Sequence, residues 1–309
     1  MIASLLISAA IGVVVGILSG LLGIGGGTVM VPLFRLLYGM SAFASTATSL
    51  FTIIPTSVSG AVAHMRNRSC VPKLGLIMGV GGAATSPVGV WLAQLSPAWL
   101  VMLAAAAIIG YSAINMFKKA FEMKPARAVA VALGAPCATG VSGAADGPHD
   151  DADASFGSSG AVTPDAPDAS DDDADALHKR FARLGARRIA CGAAIGMVAG
   201  LASGYVGVGG GFIMVPLMLS FLDVPMKLAS GTSLVAVMLL AIPGTVAQAL
   251  LFNIDYLAGV TMAAGSIPGA VLGAKLVKRV PERALRLAFG SFLLVAAALL
   301  FLNEVGPFG

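Results

Sequence analysis

The chain has 309 residues, of which 57% are hydrophobic and only 11% are charged, and its mean hydropathy is +0.91. Soluble domains carry about 25% charged residues, so this composition excludes a soluble globular enzyme and a disordered chain. It predicts an integral membrane protein, for which a net charge of +4 does not indicate a nucleic-acid partner. The three cysteines, Cys70, Cys137 and Cys191, share no short spacing that would predict a disulfide framework or a zinc site.

The charges divide the chain into three parts. Ten of the fifteen acidic residues lie between Asp146 and Asp175, a stretch that contains none of the nineteen basic residues. We therefore predict two apolar membrane repeats, residues 1–125 and 186–309, joined by an acidic linker of residues 126–185. The linker is predicted to be disordered, because it has too few large apolar side chains to offset its chain entropy. A regulatory or cation-binding role is the alternative to a solvated spacer.

Apolar stretches predict five membrane segments in each half. They lie at residues 2–22, 27–39, 44–63, 73–93 and 98–117, and then at residues 186–206, 211–223, 228–250, 257–276 and 282–302. Residues 2–22 lack a positive n-region and are predicted to be a retained first helix, not a signal peptide. The short segments 27–39 and 211–223 are either full spans or re-entrant half-helices. Residues 126–143 are apolar but short, and we assign them to the linker as a non-spanning piece.

The two halves repeat one sequence pattern. Residues 20–33, GLLGIGGGTVMVPL, recur 184 positions later as residues 204–217, GYVGVGGGFIMVPL. At the same offset, Thr48-Ser49-Leu50 falls on Thr232-Ser233-Leu234. A compositional bias toward glycine and alanine does not readily produce this ungapped match. Internal symmetry of this kind is typical of secondary transporters.

Equivalent loops of the two halves differ in charge. The loop near 64–73 is basic, whereas its equivalent near 248–257 has no basic residue. For the next pair of loops the charge lies in the second half: the loop near 93–97 is uncharged, and its equivalent near 277–286 is basic. Basic loops face the cytoplasm, so equivalent loops are predicted to lie on opposite sides of the membrane, as in an inverted repeat. Basic residues on both sides of the linker predict that its residues 144–178 are cytoplasmic.

A run of glycines separates the first two segments of each half. Each glycine costs a helix about 1 kcal/mol, so the helix is expected to break there, near the midplane. The freed backbone N–H groups must face protein, water or a ligand, and a helix N-terminus attracts anions. The predicted substrate-binding donors are Gly25, Gly26, Gly27 and Thr28, and in the second half Gly209, Gly210, Gly211 and Phe212. The predicted ligand is a small anion with tetrahedral oxygens. The alternative is that these glycines permit tight helix packing.

Hydroxyl side chains form a second candidate cluster near the start of the third segment of each half. Its predicted substrate-binding members are Thr48, Ser49, Thr232 and Ser233. Hydroxyls can donate to an anion, cap the helix or form hydrogen bonds between helices, and the sequence leaves these roles open. No metal site and no cofactor are predicted.

Few titratable groups lie within the apolar segments. His64, the equivalent of Gln248, is a candidate for proton coupling, because histidine changes charge near physiological pH. Its neighbouring arginines favour the alternative of an interfacial residue. Arg35 and Lys275 are expected inside the apolar zone, as functional groups or as side chains that reach an interface. The lack of an acidic residue clearly inside a span favours an anion over a carboxylate-based cation site.

The doubled GxxGxGGGxxxVP motif, at residues 20–32 and 204–216, resembles the sulfite exporter TauE/SafE family of membrane proteins. Residues 44–50, 229–234 and 265–273 also resemble that family. The similarity covers both apolar blocks. It implies a bacterial inner-membrane permease for sulfite, sulfonates or related organosulfur anions, without identifying the substrate. The long acidic linker departs from the compact family pattern and leaves a regulatory or assembly role open.

The leading hypothesis is a secondary transporter that exports a small sulfur-containing anion by alternating access. An anion channel with the same site and a membrane assembly factor or scaffold are the alternatives. An enzyme is not predicted, because the chain lacks HExxH, GxSxG and paired intramembrane aspartates. The expected partners are the anionic substrate and the lipid bilayer. The many small residues would permit a homodimer, although nothing in the sequence requires one.

Overall fold

The structure is a computed structural model that describes residues 2–122, 186–251 and 253–305, and its regular secondary structure there is entirely helical. The α-helices are α1 (Ile2–Leu22), α2 (Gly27–Tyr38), α3 (Ala42–Arg66), α4 (Pro72–Leu95), α5 (Ala98–Glu122), α6 (Ala186–Val206), α7 (Gly211–Phe221), α8 (Met226–Leu250), α9 (Tyr256–Leu276) and α10 (Glu282–Val305). A short 3₁₀ turn, Val277–Arg279, follows α9. The predicted linker 126–185, with its pieces 126–143 and 144–178, lies outside the described residues.

Six of the helices in the described part of the chain are long and apolar enough to cross a membrane. They correspond to the predicted segments 44–63, 73–93, 98–117, 186–206, 228–250 and 257–276. Residues Ser8–Leu22, Gly27–Tyr38 and Gly211–Phe221 form shorter apolar helices. The predicted class of an all-α integral membrane protein is therefore confirmed, while five complete spans in each half remain a prediction.

Local sequence explains where several helices begin. The Ser41 hydroxyl accepts a hydrogen bond from the N–H of Ala44 at the start of α3, at 3.2 Å. The Asp255 carboxylate accepts one from the N–H of Ala258 at the start of α9, at 3.1 Å. Serine and aspartate are favoured at this position because their oxygens satisfy N–H groups that have no partner inside the helix. Pro72 begins α4, where its missing N–H is not needed.

The helices of the two halves are interleaved. Helix α1 packs along α9. The repeat equivalents of these two helices are α6 and α4, and they also pack along each other. Helices α3 and α8 contact each other between these pairs, and α5 packs along α10. The first helix of each half therefore has its main neighbour in the other half. A bundle joined in this way buries apolar surface that neither half could bury alone.

Glycines allow the two exchanged helix pairs to approach closely. A Cβ built on Gly16 of α1 would lie 2.3 Å from the carbonyl oxygen of Ser266 in α9. A Cβ on Gly200 of α6 would lie 2.2 Å from the carbonyl oxygen of Gly82 in α4. Residues 16 and 200, like residues 82 and 266, are repeat equivalents, so the same backbone contact occurs twice. Small residues at such contacts are a common means of helix association in membranes.

Candidate functional site

The chain leaves the helical conformation at both glycine runs. Helix α1 ends at Leu22 and α2 begins at Gly27, with positive φ angles of 75° at Gly23, 81° at Gly25 and 85° at Gly26. The second run has the equivalent angles, 75° at Gly207, 88° at Gly209 and 67° at Gly210. Glycine adopts this region readily, whereas other residues are strained in it. We call these two segments, residues 23–27 and 207–211, the first and second breaks.

The two breaks are buried and touch each other. A Cβ on Gly27 would lie 2.4 Å from the carbonyl oxygen of Val208, and a Cβ on Gly211 would lie 2.6 Å from that of Gly23. Any side chain at Gly27 or Gly211 would therefore push the breaks apart. At these two glycines the structure agrees with the close-packing role that the sequence left as an alternative.

Hydroxyls of each half bind the break of the other half. The Ser49 hydroxyl donates to the carbonyl oxygen of Gly207 at 3.0 Å, and the Ser233 hydroxyl donates to that of Gly23 at 2.6 Å. These carbonyls follow the ends of α6 and α1, where helical acceptors lose their intrahelical partners. Ser49 and Ser233 therefore stabilise the geometry of the breaks through hydrogen bonds between helices.

The two predicted threonines also link the halves. The Thr48 Oγ1 accepts a hydrogen bond from the N–H of Asp255 at 3.0 Å, and the Thr232 Oγ1 accepts one from the N–H of Val71 at 2.9 Å. Asp255 also lines an open cavity of about 470 Å³ with Ala44, Asn253, Ile254 and Tyr256. A carboxylate at this cavity disfavours an anion there, so the breaks remain the better candidate site.

Several donors at the breaks have no acceptor among the described residues. They are the backbone N–H groups of Ile24, Gly25, Gly26, Gly27 and Thr28 at the first break, and those of Val208, Gly209, Gly210 and Phe212 at the second. The N–H of Gly211 donates to the carbonyl oxygen of Gly209 at 2.7 Å. A buried donor left without a partner costs about 1–3 kcal/mol, so nine such groups in adjoining segments form a site suited to an acceptor.

Two serines that the sequence analysis did not single out also face the breaks. The Ser57 Oγ lies 3.4 Å from the position that a Gly25 Cβ would occupy. The Ser19 Cβ lies 3.6 Å from the corresponding position at Gly26. Ser57 could have been found from helical periodicity, because it follows Ser49 and Ile53 at intervals of four residues and shares their face of α3.

His64 is buried against neighbouring helices in the last turn of α3. Its side chain is fully buried, with Nε2 2.8 Å from the carbonyl oxygen of Gly20 and Nδ1 2.8 Å from the Ser69 Oγ. A carbonyl only accepts, so Nε2 carries a hydrogen and donates to the last turn of α1. Arg35 and Lys275 lie in the last turns of α2 and α9. Within the described residues, no cluster of His, Cys, Asp or Glu could hold a metal ion.

Comparison of the sequence with known proteins finds membrane transporters. The family described as Sulfite exporter TauE/SafE matches residues 8–300. The "Probable membrane transporter protein YdhB" of Bacillus subtilis (strain 168) is 26% identical over 93% of this chain and 95% of its own length. The "Probable membrane transporter protein YunE" of the same organism is 23% identical over 91% of both chains. No solved structure matches the chain.

Proposed function

Because the chain belongs to the sulfite exporter TauE/SafE family of membrane transporters, we propose that it is a secondary transporter of small sulfur-containing anions. Sulfite and organosulfonates are the candidate substrates, and export is the proposed direction. The proposed location is the bacterial inner membrane, with the linker 144–178 in the cytoplasm and the termini on the opposite side. The basic loops near 64–73 and 277–286 support this orientation.

The observation that carries the proposal is the cluster of buried N–H groups without acceptors at the two touching breaks. A sulfite or sulfonate group presents three oxygens that could accept from several of these donors at once. Hydrogen bonds to a charged group are worth about 1.5–3 kcal/mol each, enough to offset part of the cost of removing the anion from water. Glycine lets the ligand approach the backbone closely.

We propose that the halves form an inverted repeat and that transport alternates access to the breaks. The repeated contacts at Gly16 and Gly200 support this symmetry, because equivalent helices meet in the same way twice. In this mechanism the pairs α1–α9 and α4–α6 move as units, since their backbones touch. Ser49 and Ser233 belong to the proposed site as the groups that hold the breaks in place. Thr48 and Thr232 belong to it as the neighbouring hydroxyls that link the two halves.

We also propose that His64 couples transport to protons. Its contact with the carbonyl oxygen of Gly20 joins it to the turn that precedes the first break. A neutral ring accepts from the Ser69 Oγ through Nδ1, while a protonated ring donates to the same oxygen. A change of protonation would thus reverse the hydrogen bond to Ser69, while the bond from Nε2 to the end of α1 is kept and becomes charge-assisted.

The test is uptake of labelled sulfite into liposomes that contain the purified protein, with thiosulfate, taurine and sulfoacetate as competitors. We expect saturable uptake that is lost in the Gly26→Leu/Gly210→Leu variant. Gly39→Asn is the matched control, because Gly39 also has a positive φ (61°) but a Cβ there would meet nothing within 4 Å. Folded protein that moves none of these anions would refute the proposal.

Two further measurements separate the alternatives. Single-channel currents in place of slow, saturable turnover would identify a channel. Deletion of residues 144–178 should leave uptake unchanged if the linker is a spacer. Loss of a cytoplasmic binding partner in that deletion, with no transport by the intact chain, would instead identify an assembly factor.

A further inference from the structure

The side chains that face the two breaks differ, although the backbones are equivalent in the repeat. A Cβ on Gly25 would lie 3.4 Å from the Ser57 Oγ. At the equivalent glycine, Gly209, the three nearest atoms are all carbons of Ile53, between 2.8 and 3.6 Å away. The residue equivalent to Ser57 in the second half is Ala241, which has no hydroxyl. The three nearest atoms therefore include a hydroxyl oxygen at Gly25 and are all carbon at Gly209.

Buried hydroxyls without hydrogen-bond partners gather at the first break. Ser19, Thr28 and Ser57 are each at most 1% exposed, and their hydroxyl oxygens have no partner among the described residues. At the second break the same is true of Ser203, the equivalent of Ser19. Thr28 is replaced there by Phe212, and Ser57 by Ala241.

The hydroxyl of Ser57 differs from those of its neighbours on α3. The Thr52 hydroxyl donates to the carbonyl oxygen of Thr48, and the Thr56 hydroxyl donates to that of Thr52, both at 2.8 Å. Such bonds to the preceding turn are the usual way in which a buried helical hydroxyl is satisfied. Ser57 forms no such bond in the described structure, so its hydrogen is available to an acceptor at the break.

We infer that the first break is the subsite for the oxygens of the anion and that the second break forms the opposite, less polar wall. This inference rests on the proposed transport function and narrows it. The oxygens accept from the hydroxyls of Ser57 and Thr28 and from the N–H groups of Gly25 and Gly26. Ile53 and Val237, which also approach Gly25, place carbon atoms against the sulfur of sulfite or the organic group of a sulfonate. Ser57 and Thr28 are thus specificity-determining residues, whereas their repeat equivalents, Ala241 and Phe212, are not.

The test compares hydroxyl deletions at matched positions. Ser57→Ala and Thr28→Val remove one hydroxyl each at the first break, and Thr28→Ser retains it. Ser203→Ala removes the hydroxyl near the second break. Thr245→Val is the control, because it also removes a buried hydroxyl that has no partner. Thr245 lies on α8 about two turns from Val237, the α8 residue that approaches Gly25. The dissociation constant of sulfite is measured from the ligand-dependent rise in Tm of the purified full-length protein.

We expect the dissociation constant to rise about 10- to 100-fold in Ser57→Ala and in Thr28→Val, the range for one hydrogen bond to a charged group. Thr28→Ser, Ser203→Ala and Thr245→Val should stay close to the wild-type value. Wild-type affinity in both Ser57→Ala and Thr28→Val would overturn the inference, as would an equal loss in Ser203→Ala. The proposed function fails separately, if the wild-type protein itself neither binds nor transports sulfite.

Discussion

The Ser233 hydroxyl on α8 donates a hydrogen bond of 2.6 Å to the carbonyl oxygen of Gly23, a residue 210 positions earlier in the chain. The bond joins the second half of the bundle to the first break. Its repeat equivalent, from Ser49 to Gly207, joins the first half to the second break. The geometry of each break therefore depends on a side chain that belongs to the other half.

Removal of these hydroxyls should loosen the breaks. Ser49→Ala and Ser233→Ala each leave a buried carbonyl without this donor, and we expect a loss of about 1–3 kcal/mol in the free energy of unfolding. Transport should fall as well, because the donors of the site would no longer be held in place. Thermal unfolding and liposome uptake measure the two effects. Ser291→Ala is the control, since that hydroxyl bonds at an exposed position of α10; equal losses in all three variants would contradict this prediction.

Side chains at the glycine contacts should prevent correct helix association. Gly16→Val and Gly200→Val would bring carbon atoms to within about 2.3 Å of backbone carbonyl oxygens, a distance that only movement of a whole helix could relieve. We expect little folded protein from either variant by size-exclusion chromatography. Gly110→Ala is the matched control, because the nearest atom to its Cβ would be 3.9 Å away. That change should be tolerated or slightly stabilising, since alanine is the better helix former.

Substitution of His64 should separate a structural role from proton coupling. His64→Ala removes the donor to the carbonyl oxygen of Gly20 and should lower the Tm of the protein. His64→Gln supplies an amide, as Gln248 does at the equivalent position, and should preserve more of that stability. If His64 couples protons, the glutamine variant should no longer respond to an imposed pH gradient. Uptake by His64→Gln that responds to the gradient like the wild type would rule out coupling through this residue.

Cys70 should be inert to thiol reagents in the folded protein. It is buried in the turn between α3 and α4, and burial raises the pKa of its thiol from an ordinary value of 9.0 to about 11. Because maleimides react with the thiolate, labelling near pH 8 should be slow until the protein unfolds. The half-buried Cys191 serves as the comparison in a Cys137→Ser background. Rapid labelling of Cys70 at pH 8 in folded protein would contradict this expectation.

The same pKa shift predicts how stability depends on pH. The folded protein favours the neutral thiol, so the contribution of Cys70 is fully present below about pH 9. It is lost as the pH rises from about 9 toward about 11, because the unfolded chain ionises first. The Tm of the wild type should therefore fall relative to that of Cys70→Ala as the pH rises through this range. A difference that does not change with pH would show that the thiol is not protected in this way.

Local composition was sufficient to locate the helices and the two breaks. Long apolar stretches define α3, α4 and α8 within a few residues, because a spanning helix needs a fixed length of apolar sequence. The positive φ angles at Gly25 and Gly209 follow from a local property, since glycine is the residue that adopts them without strain. The repeat offset also identified Ser49 and Ser233 as equivalent residues before their partners were known.

The partners of these residues depended on the tertiary structure. Whether Ser49 binds a ligand or the carbonyl of Gly207 is decided by which helix lies beside α3, and the apolar pattern of a helix does not specify its neighbour. The burial of His64 has the same cause, because the end of α1 covers it. What the sequence alone determined was the class of protein, its helices, its repeat and the positions of its breaks. The exchange of helices between halves and the unequal polarity of the two breaks are decided by contacts between residues far apart in the chain, which form only when the bundle packs.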